Sequence, residues 1–119
     1  MLRCAIVDDD AMCRLALKRL IQLHSEIHLS AVCKSGQDLL DILESNAVDL
    51  VFLDMNMPDF RGEEVLDKIP PYLPVVITTG EDEMEMSNLP ETVIYLIHKP
   101  VSVAEFQCAL DRVPEKWEG

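Results

Sequence analysis

The chain has 119 residues, enough for one hydrophobic core and too few for a second sizeable one. An apolar fraction of 49% with only four glycines excludes a disordered or low-complexity chain. Twenty-two acidic against ten basic residues give a formal charge of −12, which disfavours direct contact with nucleic-acid phosphates or an anionic membrane surface. The same charge favours cation binding and partners with some basic surface.

In chain order, an apolar run at Leu2–Val7 predicts the first strand. Helical spacing of Cys13, Leu17, Leu20 and His24 predicts a first helix from about Ala11 to His24, with Asp10 placed to cap it. A second strand follows at Ile27–Val32. A second helix opens at "SGQD", where Ser35 caps and Asp38 holds the capping-box position ahead of Leu39, Leu40, Ile42 and Leu43. The third run is Leu50–Leu53. A short third helix from about Arg61 to Ile69 is closed by Pro70 and Pro71.

The fourth run is Val75–Thr78, followed by a still shorter helix near Glu81 to Asn88, ahead of Pro90. The fifth is Val93–Ile97. A last helix from about Ser102 to Val113 follows Pro100, with Ser102 as cap, Glu105 three residues on, and an apolar side of Val103, Phe106, Ala109 and Leu110. The runs are rich in Val and Ile and do not alternate cleanly, as expected of strands covered on both faces. Strand and helix alternate five times, which predicts a parallel sheet flanked by five helices, the third and fourth of them short. Residues 1–119 are expected to form a single domain, with "PEKWEG" at 114–119 as a tail or the start of a linker.

Cys4, Cys13, Cys33 and Cys108 lie in apolar or helical stretches with no CxxC pair, so they read as reduced thiols rather than a disulfide framework. The apolar run in "MLRCAIVDDD" is too short for a signal peptide, and no stretch approaches a membrane span. A cytoplasmic location is the expectation.

In an open α/β sheet, ligands bind beyond the carboxyl ends of the strands. Asp8, Asp9 and Asp10 follow the first run, Asp54 the third, Thr78, Thr79 and Gly80 close the fourth, and His98, Lys99 and Pro100 close the fifth. In the strand order 2-1-3-4-5 of flavodoxin-like folds, strands one and three are neighbours, so Asp8 or Asp9 is expected beside Asp54. Carboxylates that close repel unless a cation joins them, and an all-oxygen site suits Mg²⁺. Lys99 adds a point positive charge and a threonine hydroxyl can donate to an oxyanion. Together the parts suit a carboxylate nucleophile that accepts a phosphoryl group.

Each residue alone is more often a turn former or a cap, and Asp10 reads as a cap. His24 and His28 read as ordinary helix-end and strand residues, and alternation turns His98 away from the face of Lys99. Glu81, Asp82, Glu83 and Glu85 read as solvated acids in a helix's first turn. Four strand ends carrying suitable groups at once is what that bland account leaves unexplained.

"IVDDD" at 6–10, "LDMNMPDFRG" at 53–62, "PVVITTG" at 74–80 and "HKP" at 98–100 stand in an order and spacing by which the chain resembles the receiver domain of two-component response regulators, over essentially its whole length. The resemblance implies that Asp54 is the phospho-acceptor. It implies Mg²⁺ held by Asp9, Asp54 and the backbone carbonyl of Asn56, with Asp8 assisting through water. Thr79 is implied as the switch hydroxyl, with Thr78 facing away, and Lys99 as the partner of the phosphoryl group, followed by Pro100 across a cis bond. Asn56 and Glu81 fall at the two positions that tune phosphoryl lifetime.

The implied donor is a phosphohistidine on a sensor histidine kinase or histidine phosphotransfer protein. The implied output is a re-packed surface of the fourth helix, fifth strand and fifth helix, which meets an effector domain or protein, or a second copy in a phosphorylation-dependent homodimer. Such a domain catalyses only its own phosphorylation and dephosphorylation. Here the chain departs from the family pattern at the switch aromatic, three residues before the lysine, which is Leu96; Tyr95 is adjacent and predicted to face the other way. The stretches from Asp54 to Thr79 and from Thr79 to Lys99 are also short. An aspartate-nucleophile phosphatase would carry its nucleophile in a DxD after the first strand, unlike this order. A phosphorylation-independent pseudo-receiver would usually lack an acid, the threonine or the lysine, and all are present.

Overall fold

The computed structural model describes residues 2–45, 47–57, 62–80 and 89–114. In chain order the elements are β1 (Leu2–Val7), α1 (Ala11–Gln22), β2 (Ile27–Cys33), α2 (Gly36–Ser45), β3 (Leu50–Asp54), α3 (Gly62–Lys68), β4 (Val75–Thr79), β5 (Val93–His98) and α4 (Val103–Asp111). The five strands pair in parallel in the order β2-β1-β3-β4-β5. This is the flavodoxin-like, doubly wound α/β fold. Four helices lie among the described residues; the one expected near residues 81–88 falls outside them.

Two apolar layers sandwich the sheet. On one face Ala5, Val7, Val51, Leu53, Val75 and Ile77 meet Leu39 of α2 and Val65 and Leu66 of α3. On the other, Cys4, Ile6, Phe52, Val76 and Ile97 meet Leu17, Leu20 and Ile21 of α1 and Phe106 and Ala109 of α4. Successive side chains of β3 are therefore all buried, which explains why its sequence runs apolar without alternation. Phe52 stacks on Phe106, with ring centroids 5.3 Å apart, and seats α4 on the sheet.

The starts of α1, α2 and α4 each follow from a local hydrogen bond. Asp10 accepts from the Met12 amide at 3.0 Å and Ser102 Oγ from the Glu105 amide at 3.1 Å. Ser35 Oγ accepts from the Asp38 amide at 3.1 Å, while Asp38 reaches back to the Lys34 amide at 3.3 Å, one residue before the cap. The helix α1 stops at Gln22, short of His24, because the Leu23 amide turns back to Leu20 and Ile21. His24 then spans to α4: Nδ1 lies 2.9 Å from the Leu20 carbonyl and Nε2 3.1 Å from Gln107 Oε1. It is a helix-end residue with structural contacts.

Two irregularities adjust the edges of the sheet. Between β1 and β2 the register slips after Cys4, leaving Ser30 unpaired; between β4 and β5 it slips after Val75, leaving Ile94 unpaired. The second bulge turns Ile94 and Tyr95 to the α4 face, and Leu96 to the α2–α3 face. Tyr95 OH donates to Glu105 Oε2 at 2.8 Å, and the Arg112 guanidinium lies 5.8 Å from its ring centroid. That bond and burial push the phenol up to about 12. Cys4 and Cys33 are buried thiols, pushed up to about 12 and about 11 by desolvation. No helix among the described residues is long and apolar enough to cross a membrane.

Candidate functional site

The carboxyl ends of β1, β3, β4 and β5 form one rim. The parallel register that pairs Val7 with Leu53 and Asp54 with Thr78 sets the residues beyond β1 beside the end of β3. Asp8 and Asp54 are buried there, and one carboxylate oxygen from each of Asp8, Asp9 and Asp54 lies within 4.8 Å of the others. Asp9 is the exposed member of the three.

Lys99 reaches into this cluster from the end of β5. Its Nζ lies 3.2 Å from Asp8 Oδ2 and 3.3 Å from Asp54 Oδ1. Its own amide donates to the Thr79 carbonyl at 2.8 Å, continuing the β4–β5 ladder, and the Lys99–Pro100 peptide bond is cis. Burial lowers the lysine's affinity for its proton, but the charges of Asp54 and Asp8 outweigh it, so the ammonium is held above its ordinary value. Burial pushes the Asp8 carboxyl up, and the Asp54 charge adds to it, against the Asp10 amide and the Lys99 ammonium.

Backbone turns fix the two buried carboxylates. The Asp10 amide donates to Asp8 Oδ1 at 2.9 Å, and the Asn56 amide to Asp54 Oδ1 at 3.0 Å. Asp8 Oδ2 is buried and, among the described residues, has no hydrogen-bond partner beyond its ion pair with Lys99. Three carboxylates against one ammonium leave a net negative, all-oxygen pocket, which is the donor chemistry a hard divalent cation requires. The residues present therefore fit Mg²⁺.

Thr79 closes β4 fully buried, and its Oγ1 donates to Asn56 Oδ1 at 3.1 Å. The Gly80 amide donates to the same oxygen at 3.3 Å. Thr78 points to the other side, and its buried Oγ1 finds no hydrogen-bond partner among the described residues. Leu96, opposite Ile77 in the sheet, lies on the face packed by α2 and α3, while His98 is exposed. Glu81 lies outside the described residues.

Arg14 went unnoticed in the sequence. One helical turn after Asp10, it bends back so that Nη1 donates to the Asp8 carbonyl at 2.9 Å. The only clue is its spacing of four residues from the cap, which sets it above the β1–α1 turn. A cavity of about 440 Å³, lined by Tyr72, Pro74, Glu91 and Ile94, lies by the amino ends of β4 and β5, away from this rim.

The pattern of the response regulator receiver domain family matches residues 4–111. The chain belongs to that family. The crystal structure of the response regulatory domain of protein MrkE from Klebsiella pneumoniae superposes on this receiver domain with a TM-score of 0.84 at 25% identity, covering 98% of both chains. The transcriptional regulatory protein YpdB of Escherichia coli is 26% identical over 122 residues, covering 98% of this chain and 49% of YpdB. The nitrate/nitrite response regulator protein NarL of the same species is 36% identical over 64 residues, covering 54% of this chain and 30% of NarL. This receiver domain thus spans less than half the length of either relative.

Proposed function

We propose that this receiver domain accepts a phosphoryl group on Asp54 from a phosphohistidine of a sensor histidine kinase or histidine phosphotransfer protein. The observation that carries the reading is the Lys99 ammonium set between Asp8 and Asp54, at 3.2 and 3.3 Å, in a pocket of three clustered carboxylates. A lone pair of an Asp54 carboxylate oxygen attacks phosphorus, an O–P bond forms, and the N–P bond breaks with its electron pair left on the imidazole. Hydrolysis returns the carboxylate when water attacks phosphorus and the O–P bond breaks, releasing inorganic phosphate. Lys99 offsets charge on the transferring oxygens, and the Asn56 amide fixes the orientation of the Asp54 carboxylate.

Asp9, Asp54 and the Asn56 carbonyl would hold Mg²⁺, with Asp8 assisting through water; when bound, the ion neutralises phosphoryl oxygens and relieves carboxylate repulsion. Thr79 is the proposed switch hydroxyl, Leu96 stands at the switch position, and Asn56 with Glu81 tunes a phosphoryl lifetime of seconds to minutes. The proposed output is a protein surface around β5 and α4, engaging an effector or a second copy of the domain. YpdB is named a transcriptional regulatory protein; a comparable output here would act through another domain or partner, because a charge of −12 opposes DNA contact by this one.

Incubation with Mg²⁺ and acetyl phosphate, followed by intact mass, tests the assignment. One phosphoryl adduct is expected for the wild type and none for Asp54→Asn. An adduct that persists in that variant overturns the acceptor; its absence from the wild type returns the chain to the pseudo-receiver reading.

A further inference from the structure

A threonine hydroxyl carries one proton and can give it to one acceptor at a time. Among the described residues that acceptor is Asn56 Oδ1, 3.1 Å from Thr79 Oγ1 across 23 residues of sequence. The same oxygen takes the Gly80 amide at 3.3 Å, so a single carboxamide gathers both donors at the end of β4. Asn56 is simultaneously tied to the acceptor aspartate, since its amide donates to Asp54 Oδ1 at 3.0 Å. The bond is set in a rigid frame: Thr79 is fully buried, and its carbonyl holds the Lys99 amide at 2.8 Å.

We propose that Asn56 is a positioning residue that holds the Thr79 hydroxyl in the resting domain, so that a phosphoryl group on Asp54 must compete with the Asn56 carboxamide for that hydroxyl. This goes beyond a tuning role in hydrolysis, and it rests on the reading of Thr79 as the switch hydroxyl. When the hydroxyl turns to a phosphoryl oxygen, Asn56 Oδ1 loses a donor that lies far from it in sequence and close in space. One carboxamide then opposes activation.

Two measurements test this. Hydrogen exchange of the Gly80 amide without any phosphodonor is expected to speed up in Asn56→Ala and to stay slow in Asn56→Asp, which keeps an acceptor oxygen. Unchanged exchange in Asn56→Ala would mean the carboxamide does not hold the end of β4. Calorimetric titration of beryllofluoride, a phosphoryl mimic, at saturating Mg²⁺ is expected to show roughly two- to tenfold tighter binding by Asn56→Ala than by the wild type, the range for removing one competing hydrogen bond. In a Thr79→Ala background the same substitution is expected to have no effect. Equal tightening there, or none in the single variant, overturns the proposal. If wild type fails to bind beryllofluoride, the phospho-acceptor reading falls, and the exchange measurement still decides whether Asn56 holds the β4 end.

Discussion

Lys99 Nζ lies 3.3 Å from Asp54 Oδ1, so the last strand delivers its cation directly onto the carboxylate that ends the third. Because the same ammonium also lies 3.2 Å from Asp8, it is shared between two buried acids rather than committed to one. Removing it strips charge compensation from any negative group built on Asp54. Lys99→Gln is expected to slow adduct formation from acetyl phosphate by about 10²-fold, the usual loss for one preorganised donor. Time-resolved intact mass measures it, and a rate within threefold of wild type would remove Lys99 from the transfer.

Repulsion among Asp8, Asp9 and Asp54 is only partly offset by one ammonium, so a divalent cation that bridges them stabilises the folded state by mass action. Thermal unfolding is expected to shift upward as Mg²⁺ is titrated in and to return when chelator removes it. Asp9→Asn is expected to abolish most of that shift, leaving the melting temperature without metal unchanged or higher. An equal Mg²⁺ response in both proteins would place the ion elsewhere.

Asp49 anchors the amino end of the sheet: its carboxylate takes the Arg3 backbone amide at 2.8 Å and the guanidinium at 3.0 and 3.1 Å. The Arg3 hydrogen bond, opposed in part by burial, holds the Asp49 carboxyl below the usual carboxylate range. A carboxyl depressed by folding contributes stability that is complete above its unfolded value, about 3.9, and is lost as pH falls through the folded one. Asp49→Asn is expected to cost about 1 to 2 kcal/mol at neutral pH. The cost should fade on acidification below about pH 4, read from urea unfolding at several pH values. A cost that is the same at pH 3 and pH 7 contradicts the ion-pair origin.

Thr78 buries a hydroxyl without a hydrogen-bond partner among the described residues, in a position where valine has nearly the same shape. Thr78→Val is expected to raise stability by about 1 kcal/mol, with phosphorylation intact, because the desolvated hydroxyl is removed and the packing kept. Denaturant unfolding checks it; a loss of similar size would show that the hydroxyl is satisfied in solution.

Tyr95 is fastened to α4 through Glu105 and lies under Arg112, on the face opposite Leu96. It serves as an anchor for the last helix. Tyr95→Phe is therefore expected to lower stability by about 0.5 to 1.5 kcal/mol while leaving adduct formation and its decay at wild-type rates. A marked change in decay rate would instead couple Tyr95 to the site.

Much of this was legible from the chain alone, for a local reason. Apolar runs of four to six residues record strands covered on both sides, and Asp10, Ser35 and Ser102 record helix starts, because each depends on neighbours a few residues away. The polar groups that end four strands could be read off as one rim, since a parallel sheet brings all those ends to one edge. Helix ends were less legible: α1 stops at Gln22 because Leu23 finds carbonyls within the last turn, and no residue type there announces it.

What the periodicity could not carry is how distant residues meet. The bulge at Ile94 turns two consecutive side chains to the α4 face, and it exists only in the pairing of β5 with β4. The Thr79 hydroxyl finds Asn56, and Arg14 finds the Asp8 carbonyl, through the twist and register of strands and the pitch of a helix. Residue types along the chain set out the chemistry of the rim; the three-dimensional register chose which donor meets which acceptor, because hydrogen bonds depend on ångström distances that no local pattern encodes.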